Sequence, residues 1–343
     1  MKNEKQSSVE IIRITFEQMY KEFYRILLKY NFTPEKANIC AGIFSESSLD
    51  GIYTHGVNRF YGFIKYINEK CIIVDAEPVK KNSIGAVEQW NGNLGPGPLN
   101  ALKCTDRSME LAKEFGIGCV ALSNTNHWMR AGTYGWRAAK AGYVFIGWTN
   151  TIGIMPAWGA VDSRLGNNPV VFGLPFNNEA IVIDMALSQF SYGKMEIAKS
   201  NKAPLSVPGG YNKDGVLTTN AADILESRRP LPVGHWKGAG LALLLDLLAT
   251  VLSGGFSTHE ISKHKYEHGI SQVFITIDLS KLGSLPSISN TINQIIDDYH
   301  NSIRESGSAE ILYPGERVLK TRKENLLTGI PVNKIFWNKI LSL

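Results

Sequence analysis

A mixed α/β chain of the α+β type is predicted by three features of the sequence. The first ~70 residues repeat apolar side chains at helical spacing; the middle carries short β-branched runs punctuated by glycine and proline; the end returns to helical spacing. A length of 343 residues is ample for a large core and suggests roughly two domains. The expected division is a helical part, 1–80, joined by C-terminal helices in 285–343, and a sheet-containing part, 81–284.

In chain order, residues 1 to 14 are polar and then β-branched and read as a loose tail. From Thr15 the pattern Phe16, Met19, Tyr20, Phe23, Ile26, Leu27 and Tyr30 is an amphipathic helix, with Thr15 and Gln18 in capping-box positions. Thr33-Pro34 supplies the N-cap and N1 preferences for a second helix ending near Leu49. A third helix is predicted from Thr54, with Val57, Phe60, Tyr61 and Ile64 on its buried side. Residues 86–90 read as a strand, 92–98 as a turn, 99–115 as a helix and 118–122 as a short buried strand. A helix over 132–141 stops at Gly142, and strands follow at 143–148, 170–174 and 180–185. A helix at 193–201, a hairpin-like stretch around 208–215, an apolar helix over 236–252 and a strand over 272–279 complete the middle. Helical spacing then marks 288–303, 318–327 and 334–343.

Composition narrows the function classes. The chain is 44% hydrophobic and 20% charged, ordinary for a soluble globular protein. A formal charge of +5 with no long basic run speaks against nucleic acid and suits small anionic ligands. Cys40, Cys71, Cys104 and Cys119 form no C-x-x-C pair, and the start MKNEKQSSVE has no apolar signal-peptide core, so a reducing, cytoplasmic setting is expected. The longest apolar run, 241–252, contains Asp246 and is too short to span a bilayer, so no membrane segment is expected.

Several chemical motifs are missing. There is no Walker loop, no G-x-G-x-x-G and no G-x-S-x-G elbow, and no cysteine lies beside a candidate base. His259-Glu260-Ile261-Ser262-Lys263-His264 is one residue too long for H-E-x-x-H. His264 and His268 have i, i+4 spacing, but Lys263 and Lys265 would repel a cation; these read as surface histidines, and no metal is expected.

Two stretches carry candidate chemistry. In Thr54-His55-Gly56-Val57-Asn58-Arg59-Phe60, a continuous helix at about 100° per residue would set His55 and Arg59 on one face, opposite the core stripe. Two readings fit: a capped helix start with a solvated His and Arg, or an anion site combining free N–H groups, Arg59 and a His55 proton. In Asn126-His127-Trp128-Met129-Arg130, either Trp128 and Met129 are core and His127 is structural, or His127 and Arg130 form the second half of that anion site. Asp184, at a strand end, either caps a turn or accepts from ribose hydroxyls. Trp236-Lys237-Gly238-Ala239-Gly240 opens a helix that can hold a phosphate.

Together the motifs Thr-His-Gly-Val-Asn-Arg-Phe (54–60), Glu-Gln-Trp (88–90), Asn-His-Trp-Met-Arg-Ala-Gly (126–132), Trp-Thr-Asn (148–150), Met-Pro-Ala-Trp-Gly (155–159), Phe-Ser-Tyr-Gly (190–193), Trp-Lys-Gly-Ala-Gly (236–240) and Gly-Ile-Ser-Gln-Val-Phe (269–274) resemble the malate/L-lactate dehydrogenase-like family of nicotinamide oxidoreductases. The resemblance runs from about Thr15 to the C-terminus. It implies a non-Rossmann nicotinamide-binding fold, a mixed, largely antiparallel sheet with helical layers, and a homodimer. It implies that the helical part carries the catalytic histidine and the sheet part the cofactor. The proton-donor role falls on His55, with His127 lining the reacting centre and able to contest it. Arg59 grips substrate carboxylate, with Thr54, Asn58 and Arg130 as further substrate contacts; Thr54 stands where the family has Ser. Cofactor contacts fall on Ala180, Ile181, Val182, Ile183, Asp184, Met185 and Ala186, on Trp236 with Lys237, and on Gly315, Glu316 and Arg317. The implied chemistry is reduction of the C2 ketone of a small anionic 2-keto sugar acid by NADH, or NADPH. Lactate, malate or ureidoglycolate couples, and a non-catalytic sugar-acid binder, are its rivals.

Overall fold

The computed structural model describes residues 10–307 and 309–343. In chain order these are β1 (Ile11–Ile14), α1 (Phe16–Lys29), α2 (Pro34–Leu49), α3 (Val57–Asn68), β2 (Val79–Ile84), β3 (Val87–Asn91), α4 (Gly97–Phe115), β4 (Ile117–Thr125), α5 (Gly132–Lys140) and β5 (Tyr143–Thr149). There follow β6 (Met155–Pro156), β7 (Ser163–Leu165), β8 (Val170–Phe176), β9 (Glu179–Met185), α6 (Tyr192–Ser200), β10 (Gly210–Tyr211), β11 (Leu217–Thr218) and α7 (Ala221–Ser227). The remainder is α8 (Trp236–Ser253), α9 (Thr258–Ile261), β12 (Ile270–Asp278), α10 (Leu285–His300), α11 (Glu316–Thr328), β13 (Ile330–Asn333) and α12 (Lys334–Leu341). The chain divides into two compact units, one from residues up to Lys70 with Gly315–Leu343 and one of Cys71–Pro314. The β2–β3 hairpin and α10 thus belong to the sheet unit, and α11 and α12 to the helical one.

In the helical unit, the capping box at Thr15 and Gln18 forms as its spacing predicts, and Thr33 caps α2 with Pro34 at N1. Apolar faces of α1, α2, α3 and α12 meet in an aromatic core: Phe23 stacks on Phe60 at 4.0 Å and Phe44 meets Phe60 edge-on at 5.1 Å, with Trp337 6.4 Å from Phe23. The tail expected over residues 1 to 14 is corrected in its β-branched part. Ile11–Ile14 pairs antiparallel with Ile330–Asn333, a partner more than 300 residues away that local pattern does not reveal. Residues 1–9 lie outside the described residues.

The other unit is built on a seven-stranded sheet in the order β2-β3-β4-β12-β5-β8-β9, antiparallel except for β3 beside β4. Helices α4 and α5 cover one face and α8 the other. Alternation along each strand therefore feeds two cores: Val120, Leu122 and Phe274 pack with Trp128, Tyr134 and Ala138, whereas Ala121, Val273 and Trp148 pack with Ala242, Leu245 and Ala249. A strand buried on both faces reads as an apolar run, which is why the core of β4, residues 119–122, was legible as a strand, whereas β12 was legible by its alternation. Helix α8 is 18 residues long and apolar enough to cross a bilayer by length and composition, unlike the expectation from 241–252 alone. Its buried side is a core helix of this unit.

Candidate active site

The Thr54–Phe60 stretch differs from the single helix predicted. Tyr53–His55 forms a 3-10 turn, and α3 begins only at Val57 after a bend at Gly56. His55 and Arg59 are therefore not carried on one continuous α-helix. Thr54 is not the N-cap: its hydroxyl lies 3.1 Å from His55 Nδ1. The cap comes from α2, where Ser48 Oγ accepts from the Val57 N–H at 2.8 Å while donating to Phe44 O. A side chain at Gly56 would sit 2.2 Å from Ser48 Oγ, so only glycine lets the turn approach α2 this closely. Thr54 thus holds one ring nitrogen of His55, Nδ1, from the neighbouring residue. His55, Thr54 and Arg59 are half-buried and Asn58 is exposed.

The turn before His55 is held from the far end of the chain. On α11, the Arg322 guanidinium donates to Asp50 and Glu46 at 2.7 Å each, and Asn325 Nδ2 donates to Leu49 O at 2.8 Å and to the Tyr53 hydroxyl at 3.3 Å. Ser48, Arg322 and Asn325 were not found from sequence. A run of serines near the end of α2 is the only local sign of the first, and nothing near 322–325 points to residue 50.

In the sheet unit the 126–132 loop is fixed at both ends. Asn126 Nδ2 lies within 3.1 Å of three carbonyl oxygens, of Cys71, Leu94 and Gly95, and Gln272 donates to Asn126 O. At the other end Gly132 N–H donates to Asp184 Oδ2 at 2.7 Å. Trp128 is buried, 5.7 Å from the Tyr134 ring, and Tyr134 Oη donates to Trp128 O. Trp128 and Met129 are thus core, whereas His127 is half-buried. The Met129 N–H donates to His127 Nδ1 at 2.9 Å, helped by a positive φ of 65° at Met129. Nδ1 is then an acceptor, and the ring's own hydrogen is on Nε2.

Arg130 is buried near Asp184. Desolvation raises the Asp184 pKa, and the Gly132 N–H and Arg130 oppose that rise. By solvent accessibility Asp184 is nonetheless exposed. Of the two sequence readings for Asp184, the N–H it accepts is that of a helix start.

Residues 180–186 present two sides. Ala180 and Val182 pack into the α5 core, whereas Ile181, Ile183 and Met185 alternate to the opposite face. The Val182 N–H points off the sheet edge and donates to Pro314 O at 3.0 Å, so Gly315, Glu316 and Arg317 follow directly from a residue bound to that edge. Trp236 and Lys237 are exposed at the start of α8, which has no side-chain N-cap; Gly238 is forced there because a Cβ would lie 1.9 Å from Val233 O. An uncapped helix start beside a lysine is a donor set that fits a pyrophosphate. Glu260, from the motif over 259–264, is used in a capping box with Ser257, and His264 stacks on His268 at 4.3 Å.

Comparison with known proteins gives the class, an oxidoreductase of a dehydrogenase family. The malate/L-lactate dehydrogenase family model matches residues 14–341, and the chain belongs to that family. It is 41% identical over 333 residues to 2,3-diketo-L-gulonate reductases of Pasteurella multocida (strain Pm70) and Escherichia coli O139:H28, covering 97% of this chain and all of theirs. Among solved structures, a sulfolactate dehydrogenase from Methanocaldococcus jannaschii superposes with a TM-score of 0.88 at 27% identity, covering 97% of this chain and 98% of that one. A malate dehydrogenase from Entamoeba histolytica, 23% identical with a TM-score of 0.91 and the same coverage, shares the fold. The non-Rossmann expectation, with its mixed and mostly antiparallel sheet, holds.

Proposed function

We propose that this protein reduces the C2 ketone of a 2-keto sugar acid with NADH, converting 2,3-diketo-L-gulonate to 3-dehydro-L-gulonate in the cytoplasm. The observation that carries this reading is the full-length similarity to 2,3-diketo-L-gulonate reductases. A nicotinamide, when bound, would supply the hydride. Residues 180–186, with Ala180 and Val182 packed into the core behind the strand, Trp236, Lys237 and Gly315 to Arg317 would hold the dinucleotide, with Lys237 and the start of α8 suited to its phosphates.

His55, as an imidazolium, would protonate the C2 oxygen as it becomes an alkoxide, leaving a secondary alcohol and a neutral imidazole. Arg59 pairs with the neighbouring carboxylate and thereby selects which ketone is reduced. Thr54 and Asn58 contact the substrate beside them, and Arg130 adds a cation in the 126–130 loop. His127 acts as a hydrogen-bond donor through Nε2 and not as the acid. A neutral ring that lost its Nε2 hydrogen would become an imidazolate, and a cationic ring would set an Nδ1 hydrogen against the Met129 N–H.

A substrate panel followed by nicotinamide absorbance tests the reading. Reduction of 2,3-diketo-L-gulonate is expected to give the highest kcat/KM, with NADH preferred over NADPH. Faster oxidation of malate, lactate, sulfolactate or ureidoglycolate would replace the sugar acid with another 2-hydroxy acid.

A further inference from the structure

At the end of the seven-stranded sheet away from the 126–132 loop, the sheet unit holds a cavity of about 490 Å³, a size that suits a small molecule. Four polar side chains line it from separate parts of the chain: Lys113 in the last turn of α4, Tyr143 at the start of β5, Asp278 at the end of β12 and Lys281 in the 3-10 turn Leu279–Lys281. Antiparallel register sets Asp278 opposite Tyr143. The same two strands pair Gln272 with Thr149 at their other end, roughly 20 Å away beside the His127 loop.

The charges in the cavity are incompletely matched. Lys113 and Lys281 are exposed and have no ion pair among the described residues. Asp278 is only 8% exposed. Its Oδ1 accepts from both the N–H and the hydroxyl of Ser280, at 2.9 and 2.6 Å, while Oδ2 has no donor among the described residues. An enclosed carboxylate oxygen without a donor calls for a hydrogen from whatever fills the cavity. Tyr143 keeps its own hydrogen at neutral pH, because burial, and then the Asp278 charge, raise its pKa. Leu285, at the start of α10, adds an apolar rim.

We propose that this cavity is a second ligand site, for a hexose monophosphate, with Lys113 and Lys281 on the phosphate and a sugar hydroxyl donating to Asp278 Oδ2. Two ammonium groups without a carboxylate partner match a phosphate. Inorganic phosphate by itself brings a like charge toward Asp278 and leaves Oδ2 unbonded, and a neutral sugar leaves the lysines unmatched. Only a phosphate that carries hydroxyl groups answers both ends of the cavity. None of these residues belongs to the dinucleotide or sugar-acid sites, so the inference does not rest on the reductase reading.

Isothermal titration calorimetry on the full chain, with and without NADH, tests it. Glucose 6-phosphate is expected to bind at one site at least about tenfold more tightly than inorganic phosphate, the worth of one hydrogen bond to a charged group, and NADH is expected to leave that affinity unchanged. Lys113→Met and Lys281→Met are each expected to weaken it by about tenfold or more, with unchanged melting temperature and turnover. Lys199→Met, which removes the same charge from exposed α6, is expected to leave it as it is. Asp278→Asn retains the oxygen that Ser280 uses and is expected to move the two probes in opposite directions, weakening glucose 6-phosphate and strengthening inorganic phosphate. No binding at millimolar glucose 6-phosphate overturns the inference. So does binding untouched by both variants at 113 and 281, equal affinity for inorganic phosphate, or an affinity lost when NADH is present.

Discussion

The backbone N–H of Met129 meets His127 Nδ1 at 2.9 Å, and that contact determines which proton His127 has to offer. His127→Gln keeps an N–H donor while His127→Ala removes it. The alanine variant is expected to lose about 100-fold in kcat and the glutamine variant to recover much of that, with its pH profile unchanged. Equal loss in both variants, with disappearance of the acid-dependent limb, would make His127 the acid. His55→Ala is expected to lower kcat by roughly 10²–10⁴-fold with a smaller change in KM, measured by steady-state kinetics. Another residue contributes to acid stability. Glu88 is buried in a pair with Arg107 at 2.9 Å and accepts from Trp90, and chiefly the Arg107 bond lowers its pKa from 4.5 to about 2. A depressed carboxylate pKa adds stability above the unfolded value and loses it as pH falls through the folded one, so this contribution disappears between about pH 4.5 and pH 2. Glu88→Gln is expected to destabilise the fold at neutral pH by about 2 kcal/mol and to flatten that acid limb in thermal melts. The cost lies below the range for fully buried pairs because Arg107 remains partly open to water.

Among the elements, α3 shows how a neighbour supplies what local sequence does not. Its first N–H is satisfied by Ser48 on α2. Ser48→Ala is expected to cost about 1–2 kcal/mol by leaving that donor buried and unbonded, and to lower kcat as the turn bearing His55 loosens. Chemical denaturation and steady-state kinetics on one preparation would show both effects; an unchanged kcat would separate capping from catalysis. Helix α10 is the opposite case. None of its 16 residues is buried, although its apolar residues recur at helical spacing. Its amides are expected to exchange hydrogen by local opening well before those of β12, the strand at the centre of the sheet, in native-state exchange followed by mass spectrometry.

Across the whole molecule, the two ends of the chain close one unit. β1 pairs with β13, Trp337 enters the aromatic core, and Arg322 bridges Asp50 and Glu46 next to the His55 turn. Arg322→Ala is expected to lower the melting temperature and reduce kcat with little change in cofactor KM, because it releases Asp50 and Glu46 without touching the dinucleotide residues. Most helices and strands were legible in the sequence because their signals are local: Thr15 with Gln18, Thr33 with Pro34, Gly142 after α5, the apolar run of β4 and the alternation of β12. The strand β1 was not, because its partner is remote and its residues carry no alternation strong enough to identify an edge. Local spacing also placed His55 and Arg59 on one helix, an arrangement interrupted by the Gly56 bend against Ser48. What the sequence determined by itself is most of the inventory of elements, which depends on spacing and composition, and, through the resemblance of its motifs, the family. Only the tertiary structure decided that Thr54 turns to His55 and leaves the cap to Ser48, that Met129 sets the hydrogen of His127, and that Trp128 and Met129 are core. Each of those outcomes is a contest for one hydrogen-bonding atom or one packing site, and for the cap the winner is Ser48 on α2, which tertiary packing brings within 2.8 Å of the Val57 N–H.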